Sequence, residues 1–175
     1  MAANNFNNCL SVVLHHEGGW SNHAKDPGGM TNLGVTKKVY EEWVGHPVTE
    51  QVMRKLTPQL VSSLYRVKYW NILKCDDLPA GLDLCVFDFG VNAGTGRSAR
   101  YLQRLVGARE DGAIGPKTLS LVKALVTLKG GDNVVDEFQE SRRVYYRKLP
   151  TFSTFGRGWL RRVDEVEVAA KAMAK

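Results

Sequence analysis

Apolar positions recur at three- and four-residue steps through most of the chain, and that spacing predicts helices. Phe6, Leu10, Val13 and Leu14 make such a stripe over residues 4–16. Gly18 and Gly19 close it, because glycine tolerates the left-handed conformation at a helix C-terminus. The period is lost over residues 21–36, where Asn22, Asp26, Pro27, Gly28, Gly29 and Gly34 crowd together as turn formers. Inside that region Leu33 and Val35 alternate with Asn32, Gly34 and Thr36, which predicts a short hairpin over residues 29–36. Helical spacing resumes at Lys38. Thr49 and Thr57 stand where N-caps belong, and Leu60, Leu64, Val67, Tyr69 and Trp70 mark the apolar side of the helix after Thr57. Residues 78–92 are apolar at most positions (Leu82, Leu84, Cys85, Val86, Phe87, Phe89), which predicts a central helix buried on most sides. Helices follow over 98–106, 117–128 and 133–149, the last with Val134, Phe138, Val144 and Tyr145 as its stripe. A turn around 156–158 is then expected to precede a final helix. The prediction is a mostly α (α+β) fold with one small β-hairpin near the N-terminus.

Length and composition narrow the class. With 175 residues, 43% of them hydrophobic and 24% charged, the chain has the makings of one soluble globular domain. Roughly 70% of the unfolded surface of such a chain is buried on folding, so neither disulfides nor a metal is needed for stability. No run approaches 18 apolar residues, which excludes a membrane-spanning helix. The first twenty residues lack a basic leader followed by an apolar core, so no secretory signal peptide is expected. Cys9, Cys75 and Cys85 are odd in number and at no metal-ligand spacing; buried, reduced thiols of a protein made in the cytosol are expected. His15 and His16 have no third ligand at a zinc spacing, so neither a metal nor another cofactor is expected.

Charge is uneven. The formal net charge is +6; residues 1–90 hold 8 Lys/Arg against 9 Asp/Glu, whereas residues 91–175 hold 16 against 9. A basic second half attracts polyanions: nucleic acid, anionic lipid headgroups or an acidic wall polymer. No helix-turn-helix, zinc or RNA-binding signature accompanies the charge, so nucleic acid is not the expected partner. The pairs Arg142 with Arg143, Arg147 with Lys148 and Arg161 with Arg162 read as solvated helix faces.

The chemistry concentrates in His16, Glu17, Gly18, Gly19, Trp20 and the run from Asp26 to Thr36. Glu17 ends the first helix, where the macrodipole disfavours a carboxylate, and Trp20 is close by; both favour a protonated carboxyl. A protonated carboxyl beside an ionised one is what glycoside hydrolysis uses: one protonates the leaving oxygen, the other positions water or steadies positive charge. Asp26, in a polar turn nine residues on, is the natural second member, and the hairpin offers Thr31 and Thr36 as hydroxyls to hold a water. Taken singly, a Glu at a helix end and an Asp opening a turn are ordinary solvated residues. Asp88 and Asn92 could line a sugar groove, or Asp88 could pair inside a buried helix. Among the aromatics, Trp20 is singled out for substrate because it follows the Glu17 motif directly.

The strings EGGW, DPGG and TNLGVT closely resemble the N-terminal motif of the glycoside hydrolase family 108 lysozymes of phages and bacteria. The second half is similar to that family's peptidoglycan-binding region in residues 87–94, in Leu102 and Gln103, in residues 111–118 and in residues 155–163. The resemblance runs along nearly the whole chain. It implies a lysozyme-like, two-lobed single domain over 1–175, with a catalytic lobe in 1–80 and a peptidoglycan-binding helical region in 81–175. It implies an endolysin-like N-acetylmuramidase cutting the β-1,4 bond between N-acetylmuramic acid and N-acetylglucosamine. Glu17 takes the place of the general acid. Asp26 is similar in spacing to the second carboxylate of phage lysozymes, and Thr31 or Thr36 to their hairpin threonine, with Thr31 nearer in spacing. An inverting scheme by analogy expects the carboxyls ~6.5–9.5 Å apart. The resemblance further implies a monomer waiting in the host cytoplasm for a holin, then acting on periplasmic peptidoglycan, its basic face attracted to anionic wall or outer-membrane lipid. A lytic transglycosylase, a chitinase and a wall-binding or phage-particle module remain alternatives. Asp26 favours hydrolysis over the transglycosylase, which needs no water-positioning carboxylate.

Overall fold

The computed structural model describes residues 5–23 and 28–175. Helix α1 (Phe6–Glu17) buries Phe6, Cys9, Leu10, Val13 and Leu14, the stripe its sequence spells out, and stops where Gly18 turns to φ +78°. A three-stranded antiparallel sheet follows: β1 (Ser21–Asn22), β2 (Met30–Asn32) and β3 (Val35–Thr36), in that order. The hairpin expected over 29–36 is β2–β3; β1 is an addition, too short at two residues to show any alternation. In the register, Thr31 stands opposite Ser21 on one side and Thr36 on the other. Leu33 and Gly34 join β2 to β3 with both φ values positive, +51° and +75°, the pattern of a two-residue I′ turn that matches strand twist. Such a φ is costly for leucine. The Tyr65 hydroxyl steadies the turn by donating to the Leu33 carbonyl at 2.7 Å. Buried Asn32 donates to the Met53 carbonyl at 2.8 Å and so ties the sheet to the helix that contains Met53.

Three threonines cap three short helices. Thr36, Thr49 and Thr57 each accept a hydrogen bond from the amide three residues on, at the starts of α2 (Lys37–Val44), α3 (Glu50–Arg54) and α4 (Pro58–Tyr65). Helix α4 runs into a π-helical turn, Arg66–Trp70. Val61, Leu64 and Tyr65 form the buried face of α4, which leaves Leu60, expected on the apolar side, about half exposed; in the wider turn Trp70 points inward, and Val67, also expected there, is about half exposed.

Helix α5 (Leu82–Ala93) is the axis of the fold, with every residue from Leu82 to Gly90 buried. It packs against α1, α6 (Thr95–Val106), α8 (Gly131–Arg147) and α9 (Phe152–Met173). Helix α7 (Pro116–Lys129) lies outside, on α6 and α8. Phe87 faces Phe6, Tyr65 and Trp70, whereas Phe89 faces Tyr101, Phe138, Tyr145 and Tyr146. Residues two apart on a helix look in nearly opposite directions, so one helix supplies both halves of a continuous core.

Two expectations are corrected. No turn interrupts 156–158: α9 is continuous from Phe152 to Met173, and Gly156 is buried because the Phe152 ring folds against its Cα. The inward stripe of α8 is Val134, Val135, Phe138, Gln139, Arg142 and Tyr146, with Val144 turned to solvent. The residue 111–118 motif is held as a structural loop. The buried Gln103 amide donates to Asp111 Oδ1 and the Ala113 carbonyl, and Gln103 accepts from the Gly112 amide. Cys9, Cys75 and Cys85 are buried free thiols, and burial pushes all three thiol pKa values up.

Candidate active site

Glu17 sits on the last turn of α1, where that helix meets the β-hairpin on one side and α9 on the other. Its Oε1 accepts a 2.8 Å hydrogen bond from Arg162 Nη2. The Gly34 turn presses on the opposite side: a Cβ at Gly34 would lie 2.9 Å from Glu17 Oε2 and 2.5 Å from the Tyr65 hydroxyl. Only glycine gives this turn both its φ and its clearance. The carboxyl is therefore fixed in rotation, one oxygen on a guanidinium and the other toward the hairpin. Its side chain keeps 20% exposure, enough to meet a ligand.

Behind Glu17 lies a buried chain of charges. Arg162 also grips Asp88, its Nη2 at 2.8 Å and Nε at 3.1–3.2 Å from the carboxylate oxygens. Asp88 pairs on its other side with Arg142 Nη2 at 2.8 Å, both residues fully buried. Arg142 Nε and Nη2 each donate to the Tyr146 hydroxyl at 3.1 Å, and that hydroxyl donates to Asn92 Oδ1. Burial alone pushes the Asp88 carboxyl up, but the charges and hydrogen bonds of Arg142 and Arg162 outweigh it and hold it below the usual carboxylate value. Burial also works against charge on Arg162, and Asp88 with Glu17 more than offset it, so its pKa is raised. Tyr65 and Tyr69 are pushed up, first by burial and then by the charge of Glu17. His16, 3.6 Å from Glu165, is lowered mainly by burial.

The structure distributes the sequence-derived candidates unevenly. Glu17 occupies the junction just described. Asp26 lies outside the described residues. Thr31 and Thr36 stand opposite each other across the hairpin, with Thr36 engaged as the cap of α2. The Trp20 ring carries the Arg54 guanidinium 4.4 Å above its centroid, and it is this guanidinium that the ring faces, while Arg162 is the residue that meets Glu17. Asp88 has no exposed surface and both its oxygens are taken by guanidiniums, so it braces Arg162 against Glu17 and does not meet a ligand. Asn92 is exposed at the end of α5.

The basic pairs are also corrected. In Arg142 with Arg143 and in Arg161 with Arg162, one member turns inward to Asp88 and only the other meets solvent or surface carboxylates. Sequence reasoning missed Arg142, Arg162, Tyr65 and the Gly34 contact. A signal existed for the arginines: Asp88 inside an apolar run demands a buried cation, and Arg142 falls on the stripe of Phe138 and Tyr146. Among the described residues, no group of three His, Cys, Asp or Glu side chains is placed to hold a metal ion.

A helical fold whose first helix ends in a partly exposed carboxyl, set against a glycine-tight hairpin and an arginine from the last helix, is lysozyme-like. Comparisons give the family. Residues 10–94 match the model for glycosyl hydrolase 108, and residues 97–164 match one described as "Predicted Peptidoglycan domain". The solved structure of SagA from Brucella abortus is 38% identical, with a TM-score of 0.83 over 98% of this chain and 96% of that one. No curated protein matches. The chain belongs to glycosyl hydrolase family 108 and is a glycoside hydrolase of peptidoglycan.

Proposed function

We propose that the protein is an N-acetylmuramidase that hydrolyses the β-1,4 bond between N-acetylmuramic acid and N-acetylglucosamine, with Glu17 as general acid. The observation that carries this reading is the fixed Glu17 carboxyl, partly exposed between a catalytic-lobe hairpin and Arg162 of the last helix. With Oε1 held by Arg162, Oε2 is the oxygen that delivers the proton to the glycosidic oxygen as the bond breaks, which leaves Glu17 as the carboxylate that Arg162 pairs with. Asp26 is the second carboxylate, steadying positive charge or activating water, and the Thr31 hydroxyl orients that water, since the Thr36 hydroxyl is engaged as a cap. Trp20 and Asn92 contribute sugar contacts. For delivery, the proposal is a monomer that waits in the host cytoplasm until a holin opens the membrane and then acts in the periplasm. Resemblance to phage lysozymes supports this, and lysis from within cells should require holin co-expression.

Mass spectrometry of fragments released from purified peptidoglycan tests the chemistry. Wild type should release fragments with reducing N-acetylmuramic acid ends. Glu17→Gln should lower the rate by about 10²–10⁴-fold, the usual worth of a general acid, while still sedimenting with the wall. Anhydro ends would make the enzyme a lytic transglycosylase, and an active Glu17→Gln would remove Glu17 from its role.

A further inference from the structure

One turn of α9 away from the Glu17–Arg162 pair, a cavity of about 300 Å³ opens at the ends of α5, α8 and α9. That is the lower end of the range of small-molecule sites. Asn92, Arg97, Tyr145, Tyr146 and Trp159 line it. Trp159 is stacked on Tyr146 at 5.2 Å and 26°, and Phe155, 54% exposed, continues the aromatic row at 5.8 Å from Trp159. Phe155, Trp159 and Arg162 are spaced four and three residues apart, so they share a face of α9, and Trp159 is ~4.5 Å along the axis from Arg162. Asn92 lies one turn beyond Asp88 on α5. The floor of the cavity is thus the outer end of the charge chain that reaches Glu17: Asn92 and Tyr146, then Arg142, Asp88 and Arg162.

Arg97 sets the chemistry of this cavity. Its guanidinium lies 4.7 Å above the Tyr145 ring and its Nη1 donates to the Ala93 carbonyl at 3.0 Å. Among the described residues it makes no ion pair. A half-buried guanidinium without a carboxylate, beside aromatic faces and an amide, suits a ligand that joins a sugar face to an anionic group. In peptidoglycan the lactyl carboxyl of each muramoyl residue is consumed in the amide to its peptide stem. The negative charges of the polymer are therefore the stem's own carboxylates.

We infer that this cavity is the subsite for a stem-bearing muramoyl residue next to the scissile bond, with Trp159, backed by the buried Tyr146 ring, as the platform for sugar and stem and Arg97 as the partner of a stem carboxylate. The inference rests on the muramidase reading for its substrate class, yet it is read by binding alone. The disaccharide of N-acetylglucosamine linked to N-acetylmuramic acid is the product of the proposed cleavage and is not cut further. Calorimetry should compare three ligands: that disaccharide with a tetrapeptide stem, the same disaccharide without a stem and with its lactyl carboxyl capped as the N-methylamide so that it carries no charge, and chitobiose. For the stem-bearing ligand, Arg97→Ala should weaken binding by about tenfold or more, the worth of a charge-assisted hydrogen bond, with partial recovery in Arg97→Lys. The other two ligands should bind Arg97→Ala and wild type alike. Trp159→Ala, with Trp159→Phe as the milder variant, should weaken both muramoyl ligands. The inference is overturned by unchanged stem-bearing affinity in Arg97→Ala, by an equal loss for the stem-free disaccharide, or by no loss in either Trp159 variant. If wild type releases no reducing ends from peptidoglycan, the muramidase reading fails separately, and stem-dependent binding still decides the subsite.

Discussion

Individual side chains here matter through what they hold in place. Gly34 is legible in the sequence as a turn residue, but its second duty, clearing space for Glu17 and Tyr65, depends on a contact between segments 17 and 31 residues away. Gly34→Ala should therefore cost more than a turn substitution alone. We expect a lower melting temperature together with at least a tenfold loss of wall-lysing activity, measured on the same preparation. Tyr65→Phe removes only the hydrogen bond to the Leu33 carbonyl, so a stability loss of about 1 kcal/mol by urea titration is expected, with a smaller loss of activity. Arg162 is a positioning residue. Arg162→Ala strands part of the Asp88 charge and should destabilise by about 3–5 kcal/mol. Arg162→Lys keeps a positive charge but not the forked grip on two carboxylates, so it should recover most of the stability while kcat stays low and KM changes little. Equal recovery of kcat would reduce Arg162 to a stability role.

At the scale of elements, α1 follows from its apolar spacing and α5 from its length and apolar density, α6, α7 and α8 were legible as helices although the inward stripe of α8 was partly misassigned, and the caps at Thr49 and Thr57 were readable from residue type and position. The failures share a cause. Glycines 156 and 158 signal a turn locally, yet α9 runs through them because packing on α8 and α5 outweighs about 1 kcal/mol of helix propensity per glycine. The two glycines differ in environment, which gives opposite predictions. Gly158 is exposed, and a Cβ added there meets nothing within 4 Å, so Gly158→Ala should raise stability by about 0.5–1 kcal/mol. Gly156→Ala drives a methyl into the Phe152 ring and should destabilise by about 1–3 kcal/mol. Thermal melts of the two variants side by side check both signs. The π turn at Arg66–Trp70 is a like case, since a one-residue change in winding re-aims the residues after Tyr65, leaving Val67 half exposed and Trp70 buried.

The molecule as a whole is one core with a charge chain through it. The two family-matched regions meet at the site: Glu17 and Asp88 come from the first, Arg142 and Arg162 from the second. A fragment ending near residue 94 loses the helices that cover α5 and both cations of Asp88, and it should fail to give a cooperative thermal transition. Acid should act through the same chain. The Asp88 carboxyl is held below its unfolded value, near 3.9 for an ordinary Asp, so its stabilisation is complete above that pH and is lost as pH falls through the folded value. The urea midpoint of wild type should therefore drop more steeply below about pH 4 than that of Asp88→Asn, which is less stable at neutral pH. The three thiols, buried and pushed up, should stay closed to alkylation in the native state and react only on unfolding.

Local physics was enough for most of the helices, the hairpin, the caps at Thr49 and Thr57 and the placing of Glu17 at a helix end beside turn formers, because each depends on residues within a few positions of one another. The motif strings added the family. What only the tertiary structure decided is which charges go inside. Arginine doublets at 142 and 161 look alike along the chain, and helical phase alone turns one member of each toward Asp88 and the other away. Whether a buried carboxylate finds two guanidiniums, and whether one of them, Arg162, also reaches Glu17 across 145 positions of sequence, depends on how α1, α5, α8 and α9 pack. That packing fixes a helix-end glutamate against Arg162 and opens the Arg97 cavity about one turn of α9 away from that pair.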